Sequence, residues 1–170
     1  GHYQLAFILF TCPAHETLNV NIRDHNKRIP LHIATESGRF EMSCVLINPG
    51  GSDLNAQDMF GQTPLHKAVL ADNSEICHMI TIREDANINI QDKFGRTPLM
   101  IAAIKGRIGS IRTLARNTRI NLDLTDKNGM TALELAVKND RKYSATLLKL
   151  AANMCELPDN GDDDDKSDSV

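Results

Sequence analysis

Apolar residues along this chain recur at helical spacing in short runs. Leu65 and Ala68, and again Leu99 and Ala102, lie three apart, which sets them on one face of a helix. Each run opens on a threonine followed by proline, Thr63 with Pro64 and Thr97 with Pro98. The hydroxyl suits an N-cap, and proline suits the first helical position, where its missing N–H costs nothing. The runs are broken at Gly38, Asp72, Gly106 and Asp140, which allow a turn. A second apolar run follows each break, with Val45 and Leu46, Met79 and Ile80, Ile111 and Leu114, Leu147 and Leu148. The predicted unit is a pair of helices.

The unit repeats. DHNKRIPLHIA from Asp24, DMFGQTPLHKA from Asp58, DKFGRTPLMIA from Asp92 and DKNGMTALELA from Asp126 align, each starting 34 residues after the last. Ahead of each Asp lie turn-forming residues with Asn three places before it in the first three units, at Asn21, Asn55 and Asn89. Gly61, Gly95 and Gly129 supply a tight bend inside each finger-like loop. Lys27 stands at the glycine position of the first unit, and that finger is expected to be distorted.

The TPLH motif in register with Asp, Gly and Ala resembles the ankyrin repeat, with one extra residue in the loop between the second helix and the next finger. The resemblance implies an all-α ankyrin-repeat solenoid of stacked helix pairs with β-hairpin fingers. It divides the chain into an array over residues 1–157, with a partial first repeat and then four repeats starting near 24, 58, 92 and 126. Residues 1–10 read as the second helix of a repeat whose first helix is missing. Lys142 and Ser144, at positions apolar in other second helices, are expected on a polar outer face that ends the stack. Residues 158–170 cannot bury anything and read as a disordered acidic tail.

Composition narrows the class. There is no Trp and aromatics are only 4% of residues, so the core must come from Leu, Ile, Val, Ala and Met. The apolar run from Leu5 to Phe10 is far shorter than the roughly 20 residues of a membrane span. The four cysteines, Cys12, Cys44, Cys77 and Cys155, form no CxxC pair, which favours structural free thiols in a reducing compartment. These features read as a soluble protein of the cytoplasm, with the nucleus also open to it, and with no direct membrane insertion. The net charge of -3 is uneven: residues from Glu156 onward carry seven acids and one base, and the rest has 18 Lys and Arg against 15 Asp and Glu. A mildly basic body bears an acidic tail.

No catalytic motif is present: GxxxxGK[ST], HExxH and GxSxG are all absent. His32 and His66 sit at the TPLH position, where the resemblance implies that the imidazole bonds backbone and ties repeats together. Met100 and Glu134 replace it later, which opposes a catalytic ensemble. Cys12 and His15 have the separation of half a zinc site but lack a second pair. Asp162, Asp163, Asp164 and Asp165 lack the ordered oxygens of a calcium site. The sequence therefore assigns no enzyme activity, no metal and no cofactor.

In the ankyrin family partners usually meet the fingers and the exposed face of each first helix. Carried over by position, the partner-binding residues are Arg28, Met59, Phe60, Gln62 and Leu70, then Lys93, Phe94, Arg96, Ile104 and Lys105, then Lys127, Met130 and Lys138. Apolar anchors ringed by cations suit another protein with an acidic and partly apolar segment. A body charge of only +3 and no groove-reading element oppose nucleic acid. The expected function is a monomeric protein–protein interaction module, regulatory or scaffolding. The alternatives are a cytosolic ankyrin segment of a larger membrane channel and a substrate-recruiting module of an enzyme. The eight residues from Gln62 to Val69 are also similar to a segment of the inhibitors of Rel/NF-kappaB transcription factors. Asn21, Asn55 and Asn89 resemble sites that asparaginyl hydroxylases modify in ankyrin proteins. The acidic tail is expected to compete for the basic concave surface near Lys127 and Lys138.

Overall fold

A computed structural model describes residues 19–48 and 51–155. The expected partial first repeat, Cys12 with His15, and the acidic tail lie outside the described residues. Among the described residues there are eight helices and no β-strand. First helices α1 (Pro30–Glu36), α3 (Pro64–Leu70), α5 (Pro98–Lys105) and α7 (Ala132–Lys138) alternate with second helices α2 (Phe40–Ile47), α4 (Ser74–Thr81), α6 (Ile108–Ala115) and α8 (Lys142–Cys155). First helices pack on first helices and second on second, so the stack has a layer of each.

Two starts carry the Thr-Pro signal, at Thr63 and Thr97, while α1 opens on Ile29-Pro30 and α7 on Thr131-Ala132. Thr97 Oγ1 accepts the Met100 N–H at 3.3 Å and Thr131 Oγ1 accepts the Glu134 N–H at 3.4 Å. At Thr63 the hydroxyl instead meets His66 Nδ1 at 2.9 Å. Each first helix ends in the same way. Gly38, Asp72, Gly106 and Asp140 have positive φ, between +54° and +73°. The next N–H then reaches back to the repeated alanine: Arg39 to Ala34, Asn73 to Ala68, Arg107 to Ala102 and Arg141 to Ala136, at 2.8 to 3.0 Å. This six-to-one bond satisfies a carbonyl that the helix end would otherwise orphan.

Those alanines are buried together with Leu31, Leu65 and Leu99 from the first helices, and Ile76, Ile80, Ile111 and Leu114 from the second. Burying each large aliphatic side chain contributes about 1.5–3 kcal/mol, and only the neighbouring repeat provides the surface for it. Ser144 differs from expectation: it is buried, not on an outer face. It shares a register position with Ile76 and Ser110, both fully buried, so this position belongs to the inner side of the second helix. Lys142 is exposed.

The fingers are tight turns rather than paired strands. The N–H of Asp24, Asp58, Asp92 and Asp126 bonds the carbonyl four residues on, at 2.9 Å in every case. Lys27 adopts φ +61° and its N–H bonds the Asp24 carbonyl at 2.9 Å, as the glycines do in the other fingers. The first finger is therefore undistorted; the cost appears as left-handed backbone in a residue with a Cβ. Gly61 has a further reason to be glycine. A Cβ there would lie 2.9 Å from the Lys93 backbone N, because successive fingers touch: Met59 N–H donates to Asn26 O, Lys93 to Phe60 O and Lys127 to Phe94 O, at 2.8 to 3.1 Å.

Candidate protein-binding face

Each finger is built around its aspartate. Asp58 Oδ1 accepts the N–H groups of Phe60 and Gln62 at 2.8 and 2.9 Å, and Asp24, Asp92 and Asp126 repeat the pattern. The second oxygen takes a cation where one is in reach. Asp24 holds Arg28 and Asp92 holds Arg96, while Asp58 holds Lys67 Nζ at 3.0 Å. Burial alone would raise the Asp58 carboxyl; Lys67 and the two N–H groups outweigh it and keep it below the ordinary carboxylate value. Asp24 and Asp126 are lowered in the same sense, burial being outweighed by the N–H groups of Arg28 and Met130.

Histidine joins one repeat to the next. His66 Nδ1 accepts the Thr63 N–H at 3.1 Å, and its Nε2–H donates to the Arg96 carbonyl at 3.0 Å. His32 does the same between the Ile29 N–H and the Gln62 carbonyl. Both rings are fully buried. Burial lowers both pKa values, that of His66 to about 4, so the neutral ring is the native form. The carbonyl bonds oppose this shift without cancelling it.

Asparagine forms a second ladder. Asn55 Nδ2 donates to Asp85 O at 2.8 Å while its Oδ1 accepts the Asn87 N–H at 2.7 Å. Asn21 and Asn89 bridge forward in the same way. These side chains are half-buried and both ends of each carboxamide are engaged. A hydroxylating enzyme would have to open the finger to reach them.

The thirteen candidate binding residues divide by what they touch. Met59, Phe60 and Phe94 project from successive fingers at 39, 49 and 56% exposure. Lys93, Lys105, Lys127 and Lys138 are exposed beside them and in no ion pair among the described residues. Leu70, Ile104 and Met130 are half-buried against the core. Gln62 is buried and its backbone carries three of the bonds above, two at its carbonyl and one at its N–H, so it is structural. Arg28 and Arg96 are not free cations. Arg28 pairs with Asp24 and Glu36, and Arg96 holds Asp92 and stacks on the Phe94 ring, 4.5 Å from its centre.

Lys67 escaped the sequence reading. It is only 6% exposed and bridges Asp58 to Glu36; the signal was an acid in the finger and a lysine at an otherwise apolar register position. Arg119 was missed too. Its guanidinium donates to four backbone carbonyls from Thr81 to Ala86, closing the end of α4. Cys77 is buried against Ser110, and burial pushes its thiol to about 11, as a structural thiol requires. Cys44 is half-buried with its sulfur 3.3 Å from Met79 Sδ.

Two grooves lie between second helices, and another beside α1 takes Asp24 and Arg28 of the first finger into its lining. No described helix is long and apolar enough to cross a membrane.

A family model of ankyrin repeats in three copies matches residues 1–92 and 65–157. The chain belongs to the ankyrin-repeat family, whose repeats are generally protein–protein interaction modules and typically non-catalytic. A search of curated proteins finds no match.

Proposed function

We propose that the chain holds a partner protein on its fingers and first-helix edge, and that the partner supplies an acidic, partly apolar segment. The observation that carries this reading is the row of Met59, Phe60 and Phe94, exposed on fingers whose backbones are bonded tip to tip. Large apolar side chains on a rigid support lose little entropy on binding, and exposed lysines at the rim favour an acidic partner. The role is regulatory or scaffolding: a monomer of the cytoplasm, with access to the nucleus, positions the partner without transforming it. Hydroxylation of Asn21, Asn55 and Asn89 belongs to the same reading only as a modification of transiently opened fingers.

The test is a titration of the partner recovered by affinity purification from source cells. The double variant Phe60→Ala, Phe94→Ala should bind about 30-fold more weakly or worse, at just over 1 kcal/mol per anchor, with unchanged thermal unfolding. Binding within twofold of the parent would reject the reading.

A further inference from the structure

A second charged surface lies on the opposite layer. Between Asp92 and Asp123 there is no acidic residue, yet this stretch contains Lys93, Arg96, Lys105, Arg107, Arg112, Arg116 and Arg119. Most of the arginines are occupied. Arg96 holds Asp92, Arg107 reaches Asp72 at 3.0 Å and Arg119 holds backbone carbonyls. Arg112 and Arg116 are exposed and in no ion pair among the described residues. Arg112 on α6 and Arg116 at its C-cap are four apart and lie side by side. They also form the ridge between two grooves. One, of about 390 Å³, runs between α6 and α8 and is floored by Ile111, Ala115, Leu147, Leu150 and Ala151. The other, of about 460 Å³, lies toward α4 and is more polar.

We propose that this ridge and the α6–α8 groove dock the acidic segment that follows α8, residues 156–165, with its carboxylates against Arg116 and Arg112. The inference is independent of the fingertip reading. Two observations beyond charge direct the segment here. First, α6 and α8 begin at the same register position, but α8 has 14 residues and α6 has 8. It therefore runs on past α6 by about 9 Å at 1.5 Å per residue. The segment emerges beyond the end of the groove, and about three extended residues bring it back alongside Arg116. The first three are Glu156, Leu157 and Pro158; Asp159 and Asp162 to Asp165 come next.

Second, this groove offers apolar surface on the layer from which the segment leaves α8. Leu150, 54% exposed at the groove's edge, offers an apolar seat to the leucine of the docking segment, Leu157. The cations near the fingers, Lys127 and Lys138, belong to a finger and a first helix. A segment leaving the second-helix layer would have to pass around the end of the stack to reach them. The individual ion pairs are exposed and weak, but tethering gives a local concentration in the millimolar range, so a weak contact is populated. An acidic partner for this ridge must displace the segment.

The experiment compares the full chain with the full chain carrying Asp162→Asn, Asp163→Asn, Asp164→Asn and Asp165→Asn, by amide and methyl NMR. Spectra are taken at low salt and at about 0.5 M salt, where screening falls to a few ångströms. The expected result is shifts confined to α6 from Ile111 to Ala115, Arg116 to Thr118, and the Leu147 and Leu150 methyls, present at low salt and lost at high salt. Arg112→Gln with Arg116→Gln should remove the same difference. Identical low-salt spectra, shifts at Lys127, Met130 and Lys138 instead, or shifts that grow with protein concentration would each overturn the proposal. The last would mean that the segment reaches a second copy.

Discussion

Mild acid should loosen this protein through His66. The folded ring is neutral down to about pH 4, against an ordinary value of 6.5. The unfolded chain therefore binds a proton that the folded one refuses, and stability from this group is complete above about pH 6.5 and lost as pH falls toward 4. Between about pH 7.5 and pH 5 the loss is about 2 kcal/mol, approaching about 3 kcal/mol near pH 4. His32 is shifted the same way and adds to it. The Asp58 carboxyl, held low, contributes stability that begins to fall only as pH drops toward its ordinary value of 3.8, so it takes no part in the loss at pH 5.

The comparison is His66→Met, chosen because Met100 fills the same register position, with its sulfur 3.4 Å from the Thr97 N–H. At about pH 7.5 the variant should be less stable by about 1–3 kcal/mol, since the Arg96 carbonyl loses its donor. Urea unfolding should show that gap shrinking by about 2 kcal/mol at about pH 5. If the gap is the same at both pH values, His66 is not a buried neutral ring and the inter-repeat tie is misassigned.

Leu99→Ala, at a position 1% exposed, should cost about 2–5 kcal/mol in chemical denaturation; a cost under about 0.5 kcal/mol would place it outside the core. Lys27→Gly should stabilise by about 1 kcal/mol by relieving left-handed backbone, read as a higher urea midpoint with unchanged slope. The Cys77 thiol, pushed to about 11 and buried, should resist alkylation at about pH 8 until the chain unfolds. Peptide mapping that finds it modified in native protein would contradict the packing of α4 on α6.

The repeat was legible because similar local chemistry recurs every 34 residues: a threonine or proline at the helix start, a left-handed stop and a left-handed bend, glycine in three of the four fingers, each act within a few residues. What failed were readings that depended on a neighbour. Lys27 looked unfit for its finger, yet the bonds of Asp24 hold the turn without glycine. Ser144 was assigned to a polar outer face because it replaces an apolar register position where the stack was expected to end, yet it stays buried like Ile76 and Ser110 at the same register. Gln62, Arg28 and Arg96 were placed on the binding face by position, but Gln62 accepts from His32 of the preceding repeat, and the two arginines are taken up by the aspartates of their own fingers, with Glu36 also holding Arg28. Arg119 was silent for the same reason, since its carbonyl acceptors lie a full repeat away. The exposed Phe60 and Phe94 were visible from sequence because the finger sets their orientation locally.

The most direct measurement of the central claim is hydroxyl-radical footprinting of the full chain, free and bound to its partner. Met59, Phe60 and Phe94 are exposed and chemically reactive. The account predicts that binding protects these three, while Tyr143, 61% exposed on the second-helix layer, is oxidised at the same rate in both states. Protection of Tyr143 with unchanged oxidation at Met59, Phe60 and Phe94 would contradict it.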